Sequence, residues 1–255
     1  MFYMKQNVII TGSSTGIGAG IAQHLASLGF NVIVTYKSNE IAAQKTYSEL
    51  ICKKGQVHSM LKLDVCSEKS VKSASIIIEK KYGHLDLVVC NAGVDYFCEL
   101  EKCTFMDWKR ITRPKIDGMF LCTKYFMDFL KLSKNPMIVY ISASVGVKPD
   151  WRDPAYSCAS AATLNFGKSM AVALSKYGIR SNIVCPGSTR TNMKFWKQLE
   201  KIVPDIWEKF EKSNPLKHNC TPQDVAEVIE TLFNDKTKYL NGNEIYVNGG
   251  AHYLN

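Results

Sequence analysis

The chain has 255 residues, with 32 Lys+Arg against 23 Asp+Glu and a formal net charge of +9. That length fits one large α/β domain or two small ones. No apolar run reaches the roughly 18 residues of a membrane span, Met1 to Gln6 lack the pattern of a secretory signal, and no basic stripe is interleaved with aromatics, so neither membrane nor nucleic acid is an expected partner. Nine cysteines, an odd number without a Cys-x-x-Cys pair, fit free thiols in a reducing cytoplasm better than disulfides or a metal site.

In chain order, the first apolar run, Asn7–Ile10, leads into Thr11-Gly12-Ser13-Ser14-Thr15-Gly16-Ile17-Gly18 and then an amphipathic segment from Ala19 to Leu28. A buried strand, a glycine turn and a helix opening form the first unit of a dinucleotide-binding fold. Glycines at 12, 16 and 18 remove Cβ atoms that would hold backbone away from a pyrophosphate, and the helix N-terminus offers N–H groups and a favourable dipole. Further strands are expected at Asn31–Tyr36, Val57–Leu63, Leu85–Cys90, Met137–Ile141, Arg180–Val184 and Glu244–Val247. Between them Ser67 caps a helix to about Tyr82, and Thr104 with Asp107 opens a long helix to about Leu132. Asp153-Pro154 starts a helix closed by Gly178, and Thr221 to Asp224 starts one through Phe233. Strands alternating with helices imply one doubly wound α/β domain over 1–255, a parallel sheet of about seven strands covered on both faces.

Ligands of such sheets sit beyond the carboxyl ends of the strands. After the second strand stands Tyr36-Lys37-Ser38. No acidic residue is there to bind a ribose 2′-OH, and Lys37 suits a 2′-phosphate, so NADP(H) is expected over NAD. Asp64-Val65 follows the third strand and Asn91-Ala92-Gly93 the fourth. Residues 190–215 carry Phe195, Trp196, Ile206, Trp207 and Phe210, which ordinary amphipathic helix packing would explain. Tyr96, Phe97, Trp151 and Arg152 are candidates to line the ligand pocket, Arg152 for a carboxylate or phosphate. Histidines 24, 58, 84, 218 and 252 read as structural or exposed.

Thr11–Gly18, Asp64-Val65, Asp86, Asn91-Ala92-Gly93, Trp108, Gly118, Tyr156, Pro186-Gly187 with Thr191, and Asn248-Gly249-Gly250 together resemble the short-chain dehydrogenase/reductase family over nearly the whole chain. The pattern is most similar to its NADPH-dependent 3-oxoacyl carrier-protein reductase and glucose-dehydrogenase branch. The resemblance implies that Gly12, Ser14, Thr15, Gly16, Ile17 and Gly18 hold the cofactor phosphates and that Asp64 and Val65 meet adenine. It places Asn91, Ala92 and Gly93 beside the cofactor, Pro186, Gly187, Thr189 and Thr191 on the nicotinamide side, and the aromatic segment at about 190–215 over the substrate as a lid. It also implies a small-molecule or acyl substrate and a homo-oligomer, a tetramer or dimer, with the tetramer built on helices 104–132 and 153–177 and the last strand.

The family's catalytic Asn, Ser, Tyr and Lys are kept only at Tyr156. The lysine position is Ser160, the serine position is Ala143 flanked by Ser142 and Ser144, and the asparagine position is Lys115. A free tyrosine has a pKa of about 10, so tyrosinate at pH 7 costs roughly 4 kcal/mol without a neighbouring cation. Carbonyl reduction needs a proton donor, which neutral tyrosine already is. Lys115 is a candidate to replace the missing cation, with Pro114 kinking its helix and freeing the carbonyl near Arg110. The expected activity is NADPH-dependent carbonyl reduction with Tyr156 as donor and Ser144 or Ser142 near the carbonyl. Two alternatives stay open: a non-catalytic NADP(H)-binding protein or partner subunit, and a non-redox lyase or aldol enzyme using Lys115 as a Schiff-base amine.

Overall fold

Seven short strands pair side by side in one sheet: β1 (Asn7–Ile10), β2 (Asn31–Tyr36), β3 (Ser59–Lys62), β4 (Leu87–Cys90), β5 (Met137–Ile141), β6 (Arg180–Pro186) and β7 (Glu244–Val247). Their order is β3-β2-β1-β4-β5-β6-β7, and every pairing is parallel. The computed structural model of the chain describes residues 6–53, 55–94, 98–191 and 193–253, with backbone alone at 194, 195 and 253. The doubly wound parallel sheet expected from the alternation of elements is what forms. The chain runs outward from β1 to β3 on one side and from β4 to β7 on the other, so the order reverses between β1 and β4. A crevice opens at the strand ends there because the connections leave in opposite directions.

The helices are α1 (Gly16–Leu28), α2 (Glu40–Ser48), α3 (Glu68–Tyr82), α4 (Phe105–Lys115), α5 (Asp117–Leu130), α6 (Pro154–Ala173), α7 (Lys194–Ile202), α8 (Ile206–Ser213) and α9 (Pro222–Phe233). Strand residues alternate between two cores, as a two-residue period dictates. Val8 and Ile10 join Ile21, Leu25, Ile229 and Phe233 on the α1/α9 side. Ile9 joins Ile78, Phe126 and Leu164 on the α3/α5/α6 side.

Two expectations are corrected. The helix expected from Thr104 to Leu132 divides at Ile116 (φ −102°, ψ −69°), directly after Pro114 and Lys115. Pro114 lacks the N–H that would bond one turn back and crowds that carbonyl, so the axis bends where the lysine must turn inward. The helix starting at Pro154 ends at Ala173, and a 3₁₀ turn at Ser175–Tyr177 leads to Gly178 at φ 73°. Helix α2 was not legible because only Ala43 and Thr46 are buried along it. The 190–215 segment holds α7 and α8, where Trp196, Trp207 and Phe210 meet with ring centroids 4.8 to 6.0 Å apart.

Candidate active site

A cleft of about 1280 Å³ opens at the carboxyl ends of β1, β2, β4, β5 and β6. Its walls include Gly12, Ser14, Thr15, Ile17, Lys37, Asp64, Val65, Asn91, Ala92 and Gly93 from the first half of the chain. Lys115, Ser142, Ser144, Tyr156, Pro186, Gly187, Thr189 and Thr191 line it from the second half. Of the residues expected to hold a cofactor, Gly16 and Gly18 do not line it; they act by permitting close backbone approach. Gly16 lies at φ +63°, and an added Cβ would sit 2.5 Å from Met193 Sδ. At Gly18 a Cβ would sit 2.5 Å from Asn91 Nδ2 and 2.7 Å from the Gly12 carbonyl oxygen. Asn91 explains that crowding: its Nδ2 donates to the Thr11 and Gly12 carbonyls at 2.9 and 3.2 Å, locking the glycine turn to the end of β4.

The turn fits a dinucleotide phosphate. Thr15 at the α1 N-cap makes no side-chain capping bond, and no acidic residue lies in the first turn. The positive end of α1 therefore faces the cleft without an internal counter-charge. At the outer end, Lys37 Nζ lies 3.0 Å from Asp64 Oδ2, both partly exposed.

At the inner end, Asp153 N-caps α6, its Oδ1 accepting from Tyr156 N at 3.3 Å, and so sets the start of the helix that carries Tyr156. Lys115, on the last turn of α4, is only 4% exposed. Its ammonium donates to the Ile141 carbonyl at 2.9 Å and the Ser142 carbonyl at 3.5 Å. It lies 5.2 Å from the Tyr156 ring centroid. Ser160, four residues after Tyr156, is fully buried, and its hydroxyl has no hydrogen-bond partner among the described residues. A backbone oxygen there, Ser160 O, accepts from Ser142 Oγ at 2.8 Å, turning that hydroxyl toward α6. Ser144 Oγ accepts from Asn248 Nδ2 at 2.7 Å and donates to the Pro186 carbonyl at 3.2 Å. Burial pushes the Cys185 thiol up to about 12 against the lowering influence of the Lys115 charge, so it carries no thiolate at neutral pH.

Arg152 lines the cleft but forks onto Asp150, with Nε–Oδ1 2.9 Å and Nη2–Oδ2 2.6 Å, and this pair holds the Asp150 carboxyl below the usual range. Trp151 is 80% exposed at the rim. His252, read from sequence as structural or exposed, instead lines the cleft, stacks on Tyr246 at 4.1 Å and lies 2.8 Å from Asn248 Nδ2. Lys109, Arg110 and Lys148 also line it. Lys148 follows the β5 end closely enough that the strand-end rule could have found it, whereas His252 arrives by the final 3₁₀ turn and left no local signal. Tyr96, Phe97 and the Phe195 side chain lie outside the described residues.

Comparison with known proteins agrees with this architecture. A family model described as enoyl-(acyl carrier protein) reductase matches residues 12–252. Meso-2,3-butanediol dehydrogenase of Serratia marcescens is 31% identical over 98% of this chain and 96% of its own length. The 3-oxoacyl-[acyl-carrier-protein] reductase FabG of Aquifex aeolicus is 30% identical over 95% of each chain. Levodione reductase superposes with a TM-score of 0.90 over the full length of both chains at 21% identity, a likeness of fold. The parallel sheet with its glycine turn and strand-end cleft, matched from residue 12 to residue 252, makes this chain a member of the short-chain dehydrogenase/reductase family of oxidoreductases.

Proposed function

We propose that the protein reduces a carbonyl compound with NADPH, using Tyr156 as proton donor and Lys115 as the cation that the family places four residues after the tyrosine. The observation that carries this reading is the buried Lys115 ammonium, anchored on two β5-end carbonyls 5.2 Å from the Tyr156 ring centroid. When bound, NADPH supplies the hydride. Gly12, Ser14, Thr15, Ile17 and the α1 N-terminus would hold its phosphates, Asp64 and Val65 its adenine, and Thr189 and Thr191 its nicotinamide end. Lys37 supports NADP over NAD because no acidic residue occupies positions 37–39 and the ammonium is 65% exposed in its side chain beside Asp64.

The phenol hydrogen of Tyr156 passes to the substrate oxygen as the carbonyl carbon is reduced, and the nearby ammonium offsets the charge that develops on the phenolate. Solvent returns the proton. Ala143 offers no hydroxyl to the carbonyl. Ser144 would contribute only by exchanging its bond to Pro186, and Ser142 only by exchanging its bond to Ser160. Both acceptors of Lys115 stabilise its charged form, which is not nucleophilic, so the geometry supports proton-transfer chemistry over a Schiff base. We place the protein in the cytoplasm as a homo-oligomer. Phe120 and Ile116 on α5 and its cap and Val172 on α6 expose apolar surface at 51%, 45% and 78%. Light scattering would measure the subunit number.

NADPH consumption over a panel of small ketones, aldehydes and 3-oxoacyl thioesters tests the reading. Turnover that Tyr156→Phe abolishes is expected. Tight NADPH binding with no oxidation across the panel would overturn it in favour of a non-catalytic binding protein.

A further inference from the structure

The substrate end of the cleft has a charge imbalance that the proton relay does not use. Its described carboxylates are each engaged by the fold. Asp107 Oδ2 accepts from Thr104 N and Oγ1 in the α4 capping box. Asp150 is held by the Arg152 fork, and Asp153 caps α6. Two nearby lysines are not matched in the same way. The Lys148 side chain, exposed on the loop between β5 and α6, makes no ion pair or hydrogen bond among the described residues, and Lys109 on α4 lies 4.2 Å over the Phe105 ring with no carboxylate partner among them. These two ammonium groups come from different elements and line the same cleft. The same cleft lining carries two apolar side chains open to solvent: Trp151 is 80% and Met106 72% exposed.

Arg152, the sequence candidate for an anion, is already paired with Asp150. A guanidinium already forked onto a carboxylate presents little net charge, whereas a lysine without a counter-ion attracts an anion at the cost of its own hydration alone. An aromatic rim beside such cations suits a flat apolar body with a charged end.

We infer that the substrate is an anionic carbonyl compound, with a carboxylate or phosphate held between Lys148 and Lys109 and an apolar body against Trp151 and Met106. For the reaction this rests on the reductase reading; for the binding step it does not. The test is calorimetric titration of the NADP+-loaded protein with 4-carboxybenzaldehyde, 4-formylphenyl phosphate and the neutral methyl 4-formylbenzoate. At about 20 mM KCl at least one anion is expected to bind roughly fivefold or more tightly than the ester, and the better anion identifies the group. The advantage is expected to fall below about twofold at about 300 mM KCl, as screening requires. It is expected to fall likewise in the Lys109→Gln/Lys148→Gln double variant, but not in Lys236→Gln, which removes one charge far from the cleft. Equal or weaker binding of both anions at low salt overturns the inference, as does a preference that survives the double substitution. NADPH oxidation with the same compounds separates the two readings: preferred anions that bind but are not reduced leave this inference standing and sink the reductase.

Discussion

Lys115→Met removes one charge and keeps most of the alkyl stem, so it isolates what the ammonium does for Tyr156. At the 5.2 Å separation of Nζ and ring centroid, an effective dielectric of about 20 gives about 3 kcal/mol between the ammonium and a full phenolate charge. With about half of that charge developed at the transition state, the loss is about 1.5 kcal/mol, on the order of tenfold in kcat for carbonyl reduction. The sign in pH is fixed as well. A nearby cation favours the phenolate, so without it the phenol keeps its proton longer and the alkaline limb of the reduction profile moves to higher pH. The assay is steady-state NADPH oxidation across a pH series, with the dissociation constant for NADPH and the Tm measured alongside to detect a misfolded cleft. Lys115→Arg should recover part of the rate because it keeps the charge. An unchanged kcat and an unmoved alkaline limb in Lys115→Met would refute the reasoning, leaving the lysine a packing residue.

Other expectations rest on separate observations. Lys37→Ala should lower the ratio of kcat/KM for NADPH over NADH by about tenfold; an unaltered ratio would mean that Lys37 serves only Asp64. Ser160→Ala removes a buried hydroxyl without a partner among the described residues, so it should gain about 1 kcal/mol and raise Tm by roughly 2 °C; a lower Tm would show that the hydroxyl is satisfied. Gly18→Ala drives a Cβ into Asn91 Nδ2 and the Gly12 carbonyl, and NADPH affinity should fall at least about tenfold; retained affinity in calorimetry would contradict the close approach. His58 accepts from Val32 N at 3.1 Å and has Ile51 O 3.1 Å from its other ring nitrogen, and burial lowers its pKa below the ordinary 6.5. The unfolded chain then binds the proton more readily, so stability falls as pH drops below about 6.5. The decline in Tm from pH 7 to 5.5 should be shallower in His58→Gln, and equal slopes would exclude His58 as its source.

Most of the nucleotide half was legible because its signals are local. An apolar run, a glycine turn and a capped helix lie within Asn7–Leu28, and the residues after β3 and β4 follow their strands directly. Tyr156 was legible for the same reason, since Asp153 and Pro154 announce the helix that carries it. Side-chain partners set by the conformation of a turn or by packing of the last segment were not legible. Sequence alone left Arg152 open as an anion site because its fork onto Asp150 depends on the turn at 150–152. His252 reaches the cleft only through the packing of the final turn on Tyr246.

What the sequence by itself determined is the dinucleotide fold, the positions beyond each strand that line the cleft, and the identities of Ala143, Ser160 and Lys115 where the family resemblance implies other residues. Strand and helix periodicity and glycine spacing act over a few residues, so they can be read without knowing what packs where. Only the tertiary structure decided where the Lys115 ammonium goes. The bend after Pro114, the β5-end carbonyls of residues 141 and 142, and the α4–α6 packing that presents the Tyr156 ring come from three separate stretches of chain. A charge is located by its partners, and those partners meet only once the sheet has formed.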